Sequence, residues 1–106
     1  MATTPTSFFK GAATTTTTTV LATVPASTTW IVTNIAVANI TSSSVTFTLG
    51  MGTAGANTSI ATGTTIAANS TIFIDLKQVL PTTNTITGGA SAVSSVNFLI
   101  SGIALT

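Results

Sequence analysis

The chain has 106 residues, of which 44% are hydrophobic and only 3% are charged. Lys10, Asp75 and Lys77 are its only charged side chains, and it contains no His, Cys, Tyr, Arg or Glu. Such a composition leaves almost nothing with which to move protons, ligate metals or neutralise phosphates.

A chain this long forms one domain, and area scaling lets it bury only about two-thirds of its unfolded surface. A mean hydropathy of +0.70 supplies more apolar material than one small core hides. Charged residues usually make up about a quarter of a soluble domain, so electrostatic repulsion does little here to keep copies apart. Part of the surface is therefore expected to be covered by other copies or by a large partner. The net charge of +1 gives no field to steer nucleic acid, and two lysines fall short of the roughly six to ten phosphate contacts of a DNA binder. No apolar run approaches the ~18 residues of a membrane-spanning helix. Residues 1–13 lack the basic and apolar regions of a secretory leader.

Threonine dominates and is interleaved with Val, Ile and Ala. β-Branched side chains are stiff at χ1 and fit a pleated surface better than a helix. No apolar stripe of period 3.6 occurs, so the chain reads as all-β. Residues 1–13, with Pro5, Gly11 and the pair Phe8 and Phe9, read as an N-terminal arm ahead of a single domain over residues 14–106. The threonine run 14–19 leads into a first strand at residues 20–24, which Pro25 stops. Residues 28–40 form a second strand, with Ile31, Ile35 and Val37 on one face and Trp30, Val32, Ala36 and Ala38 on the other. Both faces are apolar, which marks a central strand or one lying against a partner.

After a polar turn at residues 41–44, Val45, Phe47, Leu49 and Met51 alternate with Thr46, Thr48 and Gly50, the pattern of a half-buried strand. Residues 52–63, rich in Gly, Ala, Asn and Thr, read as a long loop with a short strand at residues 59–61. In a strand at residues 71–77, Ile72, Ile74 and Leu76 face inward while Thr71, Phe73, Asp75 and Lys77 face outward. Pro81 ends that pairing. Residues 84–87 form a short strand followed by a turn or bulge at Gly88 and Gly89, and residues 95–105 form the last strand. Seven to eight short strands at this spacing predict an antiparallel β-sandwich or jelly-roll-like small barrel.

Chemistry is sparse along this scaffold. A Ser or Thr nucleophile needs a base, and only Lys10, Lys77, Asp75 and the termini are candidates. Lys77 lies two residues from Asp75 on one strand face and reads as its solvated ion-pair partner, an arrangement of little energetic worth. Glycoside hydrolysis in its usual form needs two carboxylates, zinc needs three or four ligands, and one Asp gives calcium too little charge. No catalytic, cofactor-binding or metal-binding residue is assigned, and the protein reads as non-enzymatic. The N-x-[ST] sequences at Asn39, Asn57 and Asn69 read as chance matches in a chain so rich in Thr and Ser.

Phe8, Phe9 and Trp30 are the side chains with most to offer a partner. Trp30 reads first as sandwich core and second as a platform for stacking on sugars. Consecutive Phe8 and Phe9 point to opposite sides of an extended arm, so the arm is expected to anchor on a neighbouring subunit, the alternative being a disordered arm with one Phe tucked in. Thr46-Phe47-Thr48 and Thr85-Ile86-Thr87 have the local form of an ice-matching ladder, but no fixed repeat stacks such pairs.

Val24-Pro25-Ala26-Ser27-Thr28-Thr29-Trp30-Ile31-Val32 resembles the opening of small β-rich structural proteins of tailed-bacteriophage virions, in which Val-Pro-Ala is followed by Gly. Asn39-Ile40-Thr41-Ser42-Ser43 is similar to the turn after their long apolar strand. Ile66-Ala67-Ala68-Asn69-Ser70-Thr71 and Asp75-Leu76-Lys77-Gln78-Val79-Leu80 resemble a later segment, and Val96-Asn97-Phe98-Leu99-Ile100-Ser101-Gly102 resembles their final strand. The likeness spans Val20 to Leu105. Ser27 stands where that group carries Gly, and Pro81 where it carries an acidic residue. The resemblance implies a capsid decoration or head–tail-associated protein with no catalytic residue and no cofactor. It implies a place in the virion, synthesis in the host cytoplasm without a signal peptide, and two kinds of partner. These are other copies of the chain, in a homotrimer, and the major capsid protein or another virion lattice protein; neither nucleic acid nor membrane is expected. The alternatives are a tail, baseplate or fibre module that binds a receptor or sugar, and an ice-binding or other structural β-protein.

Overall fold

The computed structural model describes residues 2–53, 56–92 and 94–106, and its regular structure is all β-strand. The strands are β1 (Thr3–Ala12), β2 (Val20–Thr23), β3 (Thr29–Asn39), β4 (Val45–Thr53), β5 (Ala56–Ile66), β6 (Thr71–Leu80), β7 (Asn84–Ala90) and β8 (Val96–Leu105). Taking β4 and β5 as the tip of one long hairpin, β3 pairs with β6, β2 with β7 and β1 with β8 behind it, all antiparallel. Curling that hairpin over adds two further ladders, β3 with β8 and β4 with β7. Two four-stranded sheets result, β1-β8-β3-β6 (sheet A) and β2-β7-β4-β5 (sheet B). This nesting is the connectivity of a jelly roll, and it bears out the expected antiparallel sandwich.

The sheets meet on side chains that alternate inward along each strand. Val32, Ile35, Val37, Phe98 and Ile100 of sheet A and Phe47, Leu49, Ile66 and Ile86 of sheet B are fully buried. Phe47 and Phe98 join the layers edge-to-face, with ring centroids 6.2 Å apart. Asn39, 2% exposed, ties the hairpin loops together at one end of the sandwich. Its Nδ2 donates to the carbonyls of Ser43, Ile66 and Ala67, and its Oδ1 accepts from the backbone N and the Oγ1 of Thr41. Its amide is thereby committed to structure.

Two adjacent steps of β8 decide which residues face the core. β3 carries an extra residue, Thr33, opposite the Ser101–Gly102 step, and β1 carries one, Phe8, opposite the neighbouring Ile100–Ser101 step. Because the side-chain period of a strand is two, each bulge reverses the facing of the residues beyond it. In β3 this places Trp30 and Val32 on the same buried face as Ile35 and Val37, which uninterrupted alternation would separate. In β1 it lets consecutive Phe8 and Phe9 both pack against the core.

Three segments thus differ from their sequence reading. The expected arm is, over residues 3–12, an edge strand of sheet A, closed by reciprocal backbone bonds between Ala2 and Thr106. The expected loop at residues 52–63 is largely the β4–β5 hairpin, in which β5 is the outer strand. Gly88 and Gly89 lie inside β7, where a Cβ on Gly88 would come within 2.8 Å of Leu49 and of the Thr48 carbonyl oxygen. Met1 of the arm and Ala54 and Gly55 of the loop lie outside the described residues.

Gly102 sits where the two bulges converge, and a Cβ there would collide with the Ile31 carbonyl oxygen and lie 2.9 Å from the Phe8 ring. Gly102→Ala is therefore expected to cost at least about 2 kcal/mol. It would appear as a lower urea midpoint with an unchanged m-value. Ser27 has φ of 57°, in the left-handed region that favours glycine. Ser27→Gly should raise stability by about 0.5–1 kcal/mol in the same denaturation experiment.

Candidate functional site

The aromatic residues singled out in the sequence lie against the protomer's own interior. Phe8 and Trp30 stack with centroids 4.2 Å apart and an interplanar angle of 14°. Trp30 is buried, and Phe8 and Phe9 are half-buried against the same core. Of the exposed large apolar side chains, Phe73, Val79 and Leu99 lie on the outer face of sheet A and Val20 on that of sheet B, while Ile40 follows β3 and Ile60 belongs to β5.

The registers give the outer face of sheet A row by row. Lys10, Leu99, Ala36 and Phe73 form one row; Ser7, Ser101, Asn34 and Asp75 form the next; Pro5, Ile103, Ile31 and Val79 form the third. Two largely apolar rows flank a polar one, in which Asn34 Nδ2 donates to Asp75 Oδ1 at 3.0 Å. The Asp75 carboxylate is thus held by a cross-strand amide. Phe73 is 68% exposed, Val79 60% and Leu99 41%. The outward turn of Phe73 could be read from β6 alone. Its alignment with Leu99 could not, because that depends on β3 pairing with both β6 and β8.

The outer face of sheet B is built differently. The row Val20–Thr87–Gly50–Ser59 crosses all four strands. Gly50, which brings no side chain, leaves a trough between the hydroxyls of Thr87 and Ser59. A cleft of about 580 Å³ lies over this row, lined also by Thr17, Thr18, Thr48, Asn57 and Thr62. Its floor is rigidly bonded. Asn57 Nδ2 donates to Thr87 Oγ1 at 2.9 Å and to the Thr85 carbonyl at 3.3 Å, and Thr85 Oγ1 donates to Asn57 Oδ1 at 2.9 Å.

One wall of the cleft is the threonine run 14–19. Thr14 O accepts from the backbone N of Ala90 and Thr19 O from that of Gly88, so both ends of the run are tied to β7. Inside it, the Thr14 and Thr19 hydroxyls bond at 2.7 Å and Thr19 Oγ1 donates to the Thr16 carbonyl. The run crosses the sheet over Gly89, where a Cβ would lie 2.8 Å from the Thr16 carbonyl carbon. The two Thr-x-Thr segments reach this same face, but three of their four threonines stand opposite a glycine of the β4–β7 ladder: Thr48 opposite Gly89, Thr87 opposite Gly50 and Thr85 opposite Gly52, while Thr46 pairs with Thr65 of β5. Their hydroxyls line a trough and do not form a flat grid.

Compared with protein-family models, with curated proteins and with solved structures, the chain matches none.

Gly89→Ala should push the threonine run off the sheet at a cost of roughly 1–3 kcal/mol. In hydrogen exchange the amides of Gly88 and Ala90 would then lose protection, while those of β3 and β8 would keep it. Retained protection at Gly88 and Ala90 would show that the run yields without leaving β7.

Proposed function

We propose that this protein is a non-enzymatic structural protein of a virion, a capsid decoration protein that self-associates and binds the capsid lattice through the outer face of sheet A. The observation that carries the reading is the pair of apolar rows on that face, with Phe73, Val79 and Leu99 turned to solvent. Four strands about 4.8 Å apart and roughly ten residues long at about 3.4 Å each give a face of roughly 600 Å². That approaches the ~800 Å² each partner contributes to a standard-size interface. Covering the two rows removes exposed apolar area, worth about 25 cal/mol per Å² before the costs of association.

Three further points support the reading. The resemblance over Val20 to Leu105 leads to small phage virion proteins, and Ser27, which departs from it, occupies a backbone conformation that suits the glycine of that group. Jelly rolls recur among viral capsid domains, although a fold alone does not assign a function. The near absence of charge leaves adhesion as the chemistry available. Copies repeated on a symmetric lattice add multivalency, so modest contacts per copy suffice. The trimer is the state implied by the resemblance.

Light scattering at micromolar concentration tests the self-association. The native chain should run as a trimer, and Phe73→Glu with Leu99→Glu should run as a monomer with an unchanged thermal transition. A native monomer at high micromolar concentration, or a double variant that stays trimeric, removes sheet A from the argument. Mass spectrometry of purified particles tests the virion assignment separately, and absence of the chain from particles would sink it.

A further inference from the structure

We infer that the cleft on the outer face of sheet B is a binding site for a neutral saccharide, a role independent of the adhesive face of sheet A. Its lining residues are hydroxyl-bearing or amide-bearing apart from Val20 and Gly50, and none is charged. Lys10 and Asp75 belong to the outer rows of sheet A, and Lys77 is exposed on β6 of that sheet. An anion or cation entering the cleft would lose hydration with no opposite charge to replace it. A ligand that is polar but uncharged meets no such penalty. Each hydroxyl both donates and accepts, which matches the mixed donor and acceptor set of a sugar ring, while the threonine methyls and Val20 offer apolar contact to its C–H faces.

The cleft is also organised in advance. Thr87 Oγ1 accepts from Asn57 Nδ2, which leaves its proton free to donate into the cleft among the described residues. Thr48 Oγ1 likewise accepts from the backbone N of Gly63 and keeps its own proton. The orientation of Asn57 is fixed by Thr85, and the threonine wall is pinned at both ends to β7. Gly50 opens the floor between these donors, and a Cβ there would press to 3.2 Å on the Thr58 carbonyl oxygen. The volume of about 580 Å³ falls within the roughly 300–1,000 Å³ of small-molecule sites. Without an aromatic platform each site binds weakly, and copies arrayed together would supply avidity.

The test is a titration of the ¹⁵N-labelled full chain with lactose, maltose, cellobiose and diacetylchitobiose, with glycerol and sialyllactose as controls, alongside a printed array of neutral and charged glycans. At least one neutral glycan should shift the amides of Gly50, Ser59 and Thr87 saturably at millimolar concentration. Ser59→Trp, at an exposed position on the cleft floor, should abolish the shifts. Thr87→Val should weaken binding roughly five- to tenfold through loss of one hydrogen bond. Phe73→Glu, on the other sheet, should leave binding unchanged whether or not it changes the oligomeric state. The inference is overturned if no neutral glycan binds on the array or in solution, if glycerol shifts the same amides as strongly, if charged glycans are preferred, or if binding survives Ser59→Trp.

Discussion

The rest of the molecule depends on the coincidence of two bulges on either side of one glycine. β8 keeps a single facing along its length, while its neighbours each insert one residue, β3 opposite the Ser101–Gly102 step and β1 opposite the adjacent Ile100–Ser101 step. Only a residue without a side chain tolerates the Ile31 carbonyl and the Phe8 ring so close. Beyond this point both neighbouring strands reverse their facing. Trp30 therefore enters the core to meet Phe8, and Ile31 turns outward to share a row with Ile103 and Val79. A packed aromatic stack inside and an apolar row outside are two results of one irregularity.

The same logic explains how a chain with so few charges keeps one sheet largely polar. On sheet B the outward positions are mostly Thr, Ser, Asn and Gly, with Val20 in the row and Ile60 on β5 the exposed large apolar side chains, so β-propensity and solubility are largely met by the same residue, threonine. On sheet A the outward positions of β6 and β8 include Phe73, Val79 and Leu99. Nothing in the packing of the core requires these three. An exposed apolar row that the fold itself does not need is the kind of feature that marks an interaction surface.

Much of the sandwich was legible because alternation survives over residues 45–49 of β4 and 96–100 of β8, where every second residue is buried, and over residues 72–76 of β6, where every second residue is half-buried. The strands that were misread are those at the margins. Among its described side chains β5 buries only Ile66 fully, and its Thr, Ala and Gly content resembles a loop because an outer strand needs little apolar material. β1 carries one apolar pair, and the bulge that turns both phenylalanines inward leaves no trace in the composition. Gly88 and Gly89 looked like a turn, yet they are glycines because Leu49 crowds one and the threonine run the other. The cleft was hidden for a related reason: its floor joins Val20, Gly50, Ser59 and Thr87, residues that only the strand order brings into one row.

Placing the two surfaces on opposite sheets has a geometric consequence. Stacked sheets lie about 10 Å apart with their outer faces pointing in opposite directions. On the proposed reading, a copy seated on a lattice through sheet A would direct the trough of sheet B away from that lattice. Adhesion and ligand capture would then draw on different residues and could change independently, since neither row of sheet A shares a side chain with the cleft. The few charges are divided unevenly between the two surfaces. Lys10 and Asp75 lie in the outer rows of sheet A, where a partner would have to match them, while the uncharged lining of the cleft would favour ligands that bring hydroxyls and no charge.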